Sequence, residues 1–195
     1  MRAVFAFLIL GALAATPAAA AEPRQQSTPI KPEQTRQQRL DDLFRELKRE
    51  HSEAGAKRIA DRIWTEWYRS GSSSIDLMMG WARKAMDEQK WDVALDFLDQ
   101  VVTLDPQYSE GWNRRATVHF LMHNFKKSMA DIERTLELEP RHFGALSGMA
   151  QIMQANGAKA LAISAYQRVV DVYPMDRSAQ NQIATLSEEI AGEAI

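Results

Sequence analysis

Histidine is the residue type best suited to hold a metal ion or to move a proton near neutral pH. The chain contains four histidines, and His119 and His123 are four residues apart, a spacing that brings two side chains to one side of a helix. A zinc-protease motif also requires a glutamate directly after the first histidine, whereas Phe120 follows His119. We therefore expect partly buried structural histidines, and a metal-dependent hydrolase is a remote alternative.

Other catalytic groups are missing or poorly arranged. The chain contains no cysteine, which excludes disulfides and thiol chemistry. It also lacks a Gly-x-Ser-x-Gly elbow and a glycine-rich phosphate loop. The acidic pairs at residues 41–42 and 188–189 are adjacent in sequence, so their side chains point in different directions on a helix. We predict no catalytic residue, no metal and no cofactor, and hence no enzyme activity.

The charge balance argues against two classes of partner. The chain has 24 basic and 26 acidic residues and a net charge of −2 at pH 7. Such a balance provides no general attraction to nucleic acid or to an anionic membrane. We therefore expect a protein or peptide partner and no nucleic acid.

One pattern recurs three times between residues 75 and 174. Each copy ends in a proline, and Pro106, Pro140 and Pro174 are successively 34 residues apart. A fixed period of this length indicates stacked helical units rather than one compact core. Proline cannot continue a helix, so each proline also marks the end of a unit.

The same period is visible inside each copy when the chain is divided into windows that begin at residues 41, 75, 109 and 143. Small residues recur at the eighth and twentieth places, where two antiparallel helices can approach closely only if neither carries bulk. They are Ala60, Ala82, Ala94, Ala116, Ser128, Ala150 and Ala162. Gly55 and Gly157 stand at the fifteenth place, where we expect a turn between helices.

The tryptophans also follow the period. All five stand at places four, seven, seventeen, twenty-four or twenty-seven, where side chains pack against neighbouring helices. We therefore expect them in the core rather than in a site that stacks on sugars or bases. They are Trp64, Trp67, Trp81, Trp91 and Trp112.

This arrangement resembles the tetratricopeptide repeat, a helix–turn–helix unit with an aromatic residue at place four, small residues at eight and twenty, and proline at thirty-two. Trp112 supplies the aromatic residue, and the first window departs most, with Lys48 at a small position and Ser72 in place of proline. The first unit is therefore a degenerate repeat or, alternatively, a helical hairpin that caps the stack. The resemblance covers about residues 41–174. It implies an all-α, right-handed superhelical solenoid of antiparallel helix pairs with a C-terminal capping helix.

In this family the first helix of each unit lines a concave groove, chiefly through places two, five, nine and twelve. The resemblance therefore implies that the following residues bind a partner: Arg45, Arg49, Met79, Arg83, Met86, Asn113, Thr117, Phe120, Gln151 and Gln154. Some family members grip the C-terminal carboxylate of chaperone tails with lysine and asparagine residues. This sequence does not retain that set, so we do not expect such a carboxylate clamp.

The start of the chain has the features of an export signal. A basic start, Met1–Arg2, precedes an apolar run at residues 3–15 and the small residues Ala18–Ala21, the order typical of a secretory signal peptide. Cleavage is expected after Ala21 or Ala20. We predict export, to the periplasm of a Gram-negative bacterium, with no membrane insertion after the signal is removed. An uncleaved inner-membrane anchor is the alternative, although the apolar run is shorter than the about 20 residues that a span needs.

These observations predict the following organisation. The chain comprises a signal peptide (1–21), a disordered Pro/Gln-rich linker (22–35), a degenerate first repeat-like hairpin (36–74), three repeats (75–108, 109–142 and 143–176) and a capping helix and tail (177–195). We interpret it as a non-enzymatic scaffold or adaptor of the cell envelope that binds a peptide or helix in its groove. The alternative is an assembly protein that self-associates or docks through its convex face or end helix. The oligomeric state remains open.

Overall fold

The computed structural model describes residues 34–193, so the predicted signal peptide and nearly all of the predicted linker lie outside the described residues. Within that part the chain forms α-helices and no strand, and none of these helices is long and apolar enough to cross a membrane. The helices are α1 (Arg36–Arg49), α2 (Glu53–Tyr68), α3 (Ser73–Asp87), α4 (Trp91–Leu104), α5 (Ser109–Leu121), α6 (Phe125–Leu138), α7 (Phe143–Ala155), α8 (Lys159–Val172) and α9 (Arg177–Glu193).

Three hairpins share one turn geometry. Gln89, His123 and Gly157 all stand at place fifteen and have positive φ values of 57°, 57° and 74°, a left-handed conformation that ends the first helix of each pair. The second helix starts two residues later in every case. In the first window the fifteenth residue, Gly55, lies inside α2 instead, so our prediction of a turn at Gly55 is wrong. The hairpin of α1 and α2 therefore lacks the turn of the repeat.

The three repeats form the predicted stack. The helices pair as α3 with α4, α5 with α6 and α7 with α8, and each pair packs on the next. The small residues at places eight and twenty of these repeats are at most 2% exposed, which allows the close approach of the paired helices. In the second repeat Ser128 Oγ also donates a hydrogen bond to the Ala116 carbonyl at 2.8 Å. The all-α repeat fold is thus confirmed.

The C-terminal end of the stack is covered by α9. This helix packs on α8 and buries Ala179 and Leu186, which are 2% and 0% exposed, whereas Ile190 near its end is 37% exposed. Asp176 Oδ1 accepts a hydrogen bond from the Ala179 N–H at 3.0 Å and so satisfies a free backbone donor at the start of α9. A helix with one apolar and one polar face is what the end of a solenoid requires.

The first hairpin does not stack on the first repeat, although the sequence pattern placed it at the start of the repeat array. Each repeat packs on the next one along the chain, whereas the first hairpin packs on α5 and α8. Trp67 is 1% exposed and stacks on His142 with ring centroids 3.9 Å apart and planes 8° apart. Arg141 Nη1 donates to Asp41 Oδ1 at 2.8 Å, across 100 residues of sequence. The aromatic side chains of α2 therefore pack against the edge of the third repeat.

We predict that this docking contributes strongly to stability. Trp67→Ala removes a buried ring and leaves a cavity, so it should lower the free energy of unfolding by about 3–5 kcal/mol. Urea unfolding followed by circular dichroism measures this loss. Trp81→Ala is the matched control: Trp81 is 46% exposed, so its loss should be about 1 kcal/mol or less. Equal losses in the two variants would show that the hairpin is not held through Trp67.

Candidate binding groove

Three of the predicted groove residues line one cavity. Met79, Arg83 and Met86 project from α3 at a spacing that places them on one side of the helix. Together with Tyr68 and Arg114 they surround a cavity of about 360 Å³. The remaining lining residues are Asp76, Gly80 and Ala82. Both methionines are half-buried and Arg83 is exposed, so the cavity offers an apolar wall beside a solvent-accessible cation.

The second cation of this cavity is fixed in place. The Arg114 guanidinium lies over the Tyr68 ring, 4.9 Å from its centroid, and donates to the Tyr68 hydroxyl. Arg114 Nε also donates to Glu110 Oε1 at 2.7 Å. Burial is the largest single influence and lowers the pKa of Arg114, but the charge of Glu110, its hydrogen bond and the nearby tyrosines together outweigh it, so the pKa of Arg114 is raised. The cavity therefore keeps a permanently charged wall.

Glu110 organises a buried polar network behind this wall. Its carboxylate is 0% exposed and accepts hydrogen bonds from Asn113 Nδ2 at 2.9 Å and from Arg114. His142 Nδ1 accepts the Ala145 N–H at 3.1 Å, so the ring proton is on Nε2, which lies 3.1 Å from Glu110 Oε2 and donates to it. The predicted groove residue Asn113 is thus engaged within the protein. This network has no signature in the sequence, because its members come together only when the repeats stack.

A second, smaller cavity continues the groove along α5 and α7. It has a volume of about 170 Å³ and includes the predicted residues Asn113, Thr117, Phe120 and Gln151. The other lining residues are Ala116, Ser128, Ile132, Gly144, Ala145 and Gly148. Thr117 Oγ1 donates to the Asn113 carbonyl on its own helix at 3.0 Å, so few polar groups remain free to meet a ligand here.

The first hairpin covers one end of the groove. A Cβ atom on Gly144, at groove place two of the third repeat, would lie 2.6 Å from Trp64 Cη2. The indole of Trp64 therefore rests directly on the backbone of α7, and only glycine leaves room for this contact. Helix α2 therefore occupies part of the surface that the resemblance assigns to a ligand.

Three predicted groove residues line neither cavity. Arg45 and Arg49 are exposed on α1, and Arg45 pairs with Asp42 on the same helix. Gln154 lies on α7 but outside both sets of lining residues. Arg45 and Arg49 lie outside both cavities because α1 packs with α2 and α8 and does not precede α3 in the stack.

The two candidate histidines are separated by the end of α5. His119 is buried, and burial lowers its pKa, whereas His123 is exposed and lies beyond the end of α5 on a left-handed turn. Across residues 34–193, no group of three or more histidine, cysteine or acidic side chains is placed to hold a metal ion. The structure thus gives the two histidines different environments.

One tryptophan departs from the expected core position. Trp67 is buried, and Trp64, Trp91 and Trp112 are half-buried, but Trp81 is 46% exposed. The prediction that all five lie in the core is wrong for Trp81. Within residues 34–193 no hairpin packs in front of α3, which leaves Trp81 exposed.

Comparisons with known proteins agree with this architecture. A family model described as tetratricopeptide repeat matches residues 145–174. A TPR repeat-containing protein of Rhizobium etli is 53% identical over 155 residues, which are 80% of this chain and 76% of that relative.

Two solved structures show the same fold. The first TPR of Spaghetti (RPAP3), bound to an HSP90 peptide, aligns with a TM-score of 0.57 at 21% identity and covers 60% of this chain and 93% of that one. The TPR2B domain of yeast Sti1, in a pHsp70 complex, aligns with a TM-score of 0.56 at 16% identity and covers 60% of this chain and 99% of that one. At these identities the likeness concerns the fold alone.

We predict that the wall of the larger cavity depends on Glu110. Glu110→Gln removes the charge opposite Arg114 and turns an amide N–H₂ toward at least one of three donors, so the free energy of unfolding should fall by about 3–5 kcal/mol. Glu46→Gln is the control, because Glu46 pairs with Arg62 on the surface and should cost about 1 kcal/mol or less. Urea unfolding of both variants checks this; a cost below 1 kcal/mol for Glu110→Gln would contradict it.

Proposed function

The chain belongs to the family of TPR repeat-containing proteins, and from this premise we propose that it is a non-enzymatic scaffold or adaptor of the cell envelope that binds a peptide or helix in its concave groove. Tetratricopeptide repeats are protein–protein interaction modules, and the two structural neighbours above are bound to HSP90 and pHsp70 partners. Those ligands belong to the neighbours, and the ligand of this chain follows from its own groove.

The larger cavity supports this proposal best. Met79 and Met86 provide flexible, polarizable side chains that adapt to irregular apolar partners. Arg83 is exposed beside them, and its guanidinium can donate two parallel hydrogen bonds to a carboxylate. The matching ligand is a peptide segment in which a large apolar side chain enters between the methionines and an acidic side chain reaches Arg83.

The position of α2 limits where such a segment lies. Trp64 rests on Gly144 at the third repeat, whereas the cavity along α3 is about twice as large as the cavity along α5 and α7, about 360 Å³ against about 170 Å³. Tyr68, at the end of α2, forms one wall of the larger cavity. The ligand therefore occupies the first repeat and ends against Tyr68 and Arg114.

A peptide selection tests the proposed ligand chemistry. A random phage-displayed peptide library is panned on the purified chain, and an enriched peptide is labelled and titrated by fluorescence anisotropy. The enriched sequences should combine acidic and large apolar residues. Arg83→Glu should raise the dissociation constant of the labelled peptide about tenfold or more, because repulsion replaces an attraction worth about 1.4 kcal/mol.

Arg49→Glu is the matched control for this titration. Arg49 is an exposed arginine on α1 that lines neither cavity, so its charge reversal should leave the dissociation constant within about twofold, a change of about 0.4 kcal/mol. An unchanged affinity in Arg83→Glu would show that the larger cavity does not bind the peptide. Equal losses in both variants would instead place α1 in the binding surface, as the sequence pattern predicts.

The cell-envelope location rests on the first 21 residues, whose basic, apolar and small-residue regions are those of a signal peptide. We predict that the full chain, expressed in a Gram-negative host, is recovered from the periplasm in a form that starts at Glu22 or Ala21. Intact-mass measurement of the periplasmic fraction checks this. Arginine substitutions at all four of Ala18, Ala19, Ala20 and Ala21 should block cleavage after either Ala20 or Ala21, because both sites require small residues. If the protein without these substitutions still begins at Met1, the segment is an uncleaved anchor or the protein is not exported.

A further inference from the structure

The larger cavity also contains an acidic side chain. Asp76 lines this cavity together with Arg83, and both residues are exposed. They are seven positions apart on α3, which corresponds to two helical turns, so both side chains project from the same side of the helix about 10 Å apart. Met79 lies between them and forms part of the apolar wall. The cavity therefore presents charges of opposite sign on either side of an apolar centre.

In the second repeat the residue equivalent to Asp76 has its counter-ion inside the protein. Glu110 stands at the same second place, and Arg114, one turn later at place six, donates to it at 2.7 Å. This contact neutralises both side chains without a ligand. Arg114 is thereby already paired, so Asp76 and Arg83 are the two charges of the cavity that remain for a ligand.

The first repeat retains the acid but not the counter-ion. Place six is occupied by Gly80, and a Cβ atom added to it would meet no atom of a neighbouring element within 4 Å. The Ser70 N–H donates to Asp76 Oδ1 at 3.0 Å, which orients the carboxylate. Among residues 34–193 neither Asp76 nor Arg83 has an ion-pair partner. The first repeat thus leaves open the space in which the second repeat places an arginine.

We propose that Asp76 and Gly80 form a subsite for a basic side chain of the ligand, an inference that rests on the proposed function and adds a second charged group to the same partner segment. The charge of a lysine or arginine meets the Asp76 carboxylate, as Arg114 meets Glu110 in the second repeat. Its methylene groups lie over Gly80, since long basic side chains place their stems along apolar surface. The partner therefore carries a basic residue, a large apolar residue and an acidic residue.

The separation of Asp76 and Arg83 sets the spacing of the two ligand charges. An extended peptide advances about 3.3 Å per residue, so a distance of about 10 Å corresponds to about three residues. In a helical ligand, with a rise of about 1.5 Å per residue, the same distance corresponds to about seven residues. The large apolar residue that enters between the methionines lies between the two charges in either case.

The labelled peptide obtained by phage display on the purified chain is the probe that tests this subsite. Its basic and acidic residues should be about three or about seven positions apart. Asp76→Lys should raise the dissociation constant about tenfold, because repulsion replaces attraction. A second peptide, in which glutamate replaces the basic residue, should bind Asp76→Lys within about threefold of the affinity of the original pair, because opposite charges meet again.

Two further variants separate charge from structure. Asp76→Asn keeps an acceptor for the Ser70 N–H and removes only the charge, so it should raise the dissociation constant of the original peptide about threefold. Asp92→Lys is the matched control, because Asp92 is also an exposed acid in the first turn of a helix and lines neither cavity. Its substitution should leave the dissociation constant within about twofold. Circular dichroism checks that each variant is folded.

The outcomes distinguish this subsite from the proposed function. If Asp76→Lys binds the peptide as tightly as the original chain, or if the enriched peptides lack a basic residue at either spacing, no basic side chain binds at Asp76. A loss in Asp76→Lys that the glutamate-containing peptide does not restore would show that Asp76 has a structural role only. In these cases weaker binding by Arg83→Glu would still support the proposed function. If neither Asp76→Lys nor Arg83→Glu weakens binding, both the subsite and the proposed groove are wrong.

Discussion

The close approach of paired helices is the constraint on which the rest of the structure depends. An alanine or serine at places eight and twenty of every repeat lets the two backbones approach, and any larger side chain there would separate them. Once these contacts are in phase, the direction of every other side chain follows. The residues of α3 that line the larger cavity face the groove for this reason, and Leu77 and Trp81 of the same helix face outward.

The buried Glu110 network adds a second layer of order to this framework. An apolar interface holds two helices together but specifies their relative position weakly, whereas a buried carboxylate with three donors tolerates little displacement. Glu110 joins α5 to His142 at the start of α7, and His142 stacks in turn on Trp67 of α2. One side chain thus links two repeats to the N-terminal hairpin and also holds Arg114 at the wall of the cavity.

The periodic part of this fold was predictable because repeat contacts are local. The spacing of the prolines and of the small residues indicated the three repeats. The groove residues that the resemblance implied include Met79, Arg83 and Met86, which line one cavity. The position of the first hairpin was not predictable, since its partners lie 100 residues away in the pair of Asp41 with Arg141. Trp64 and Trp67 also match the repeat pattern at places twenty-four and twenty-seven, so the pattern predicted contacts with the adjacent repeat. In the structure they contact Gly144 and His142 instead. The local signs of a departure in the sequence were Lys48 at a small position and Ser72 in place of proline.

The docking of α1 and α2 on the far repeats changes how the molecule should come apart. In an ordinary linear array each unit touches only its neighbours, so terminal units fray and partly unfolded forms accumulate. Here the hairpin that precedes the first repeat packs on α5 and α8, so it bridges the second and third repeats. Opening the third repeat then also removes the support of the hairpin, and these parts should unfold as one cooperative body rather than by stepwise loss from the C-terminal end.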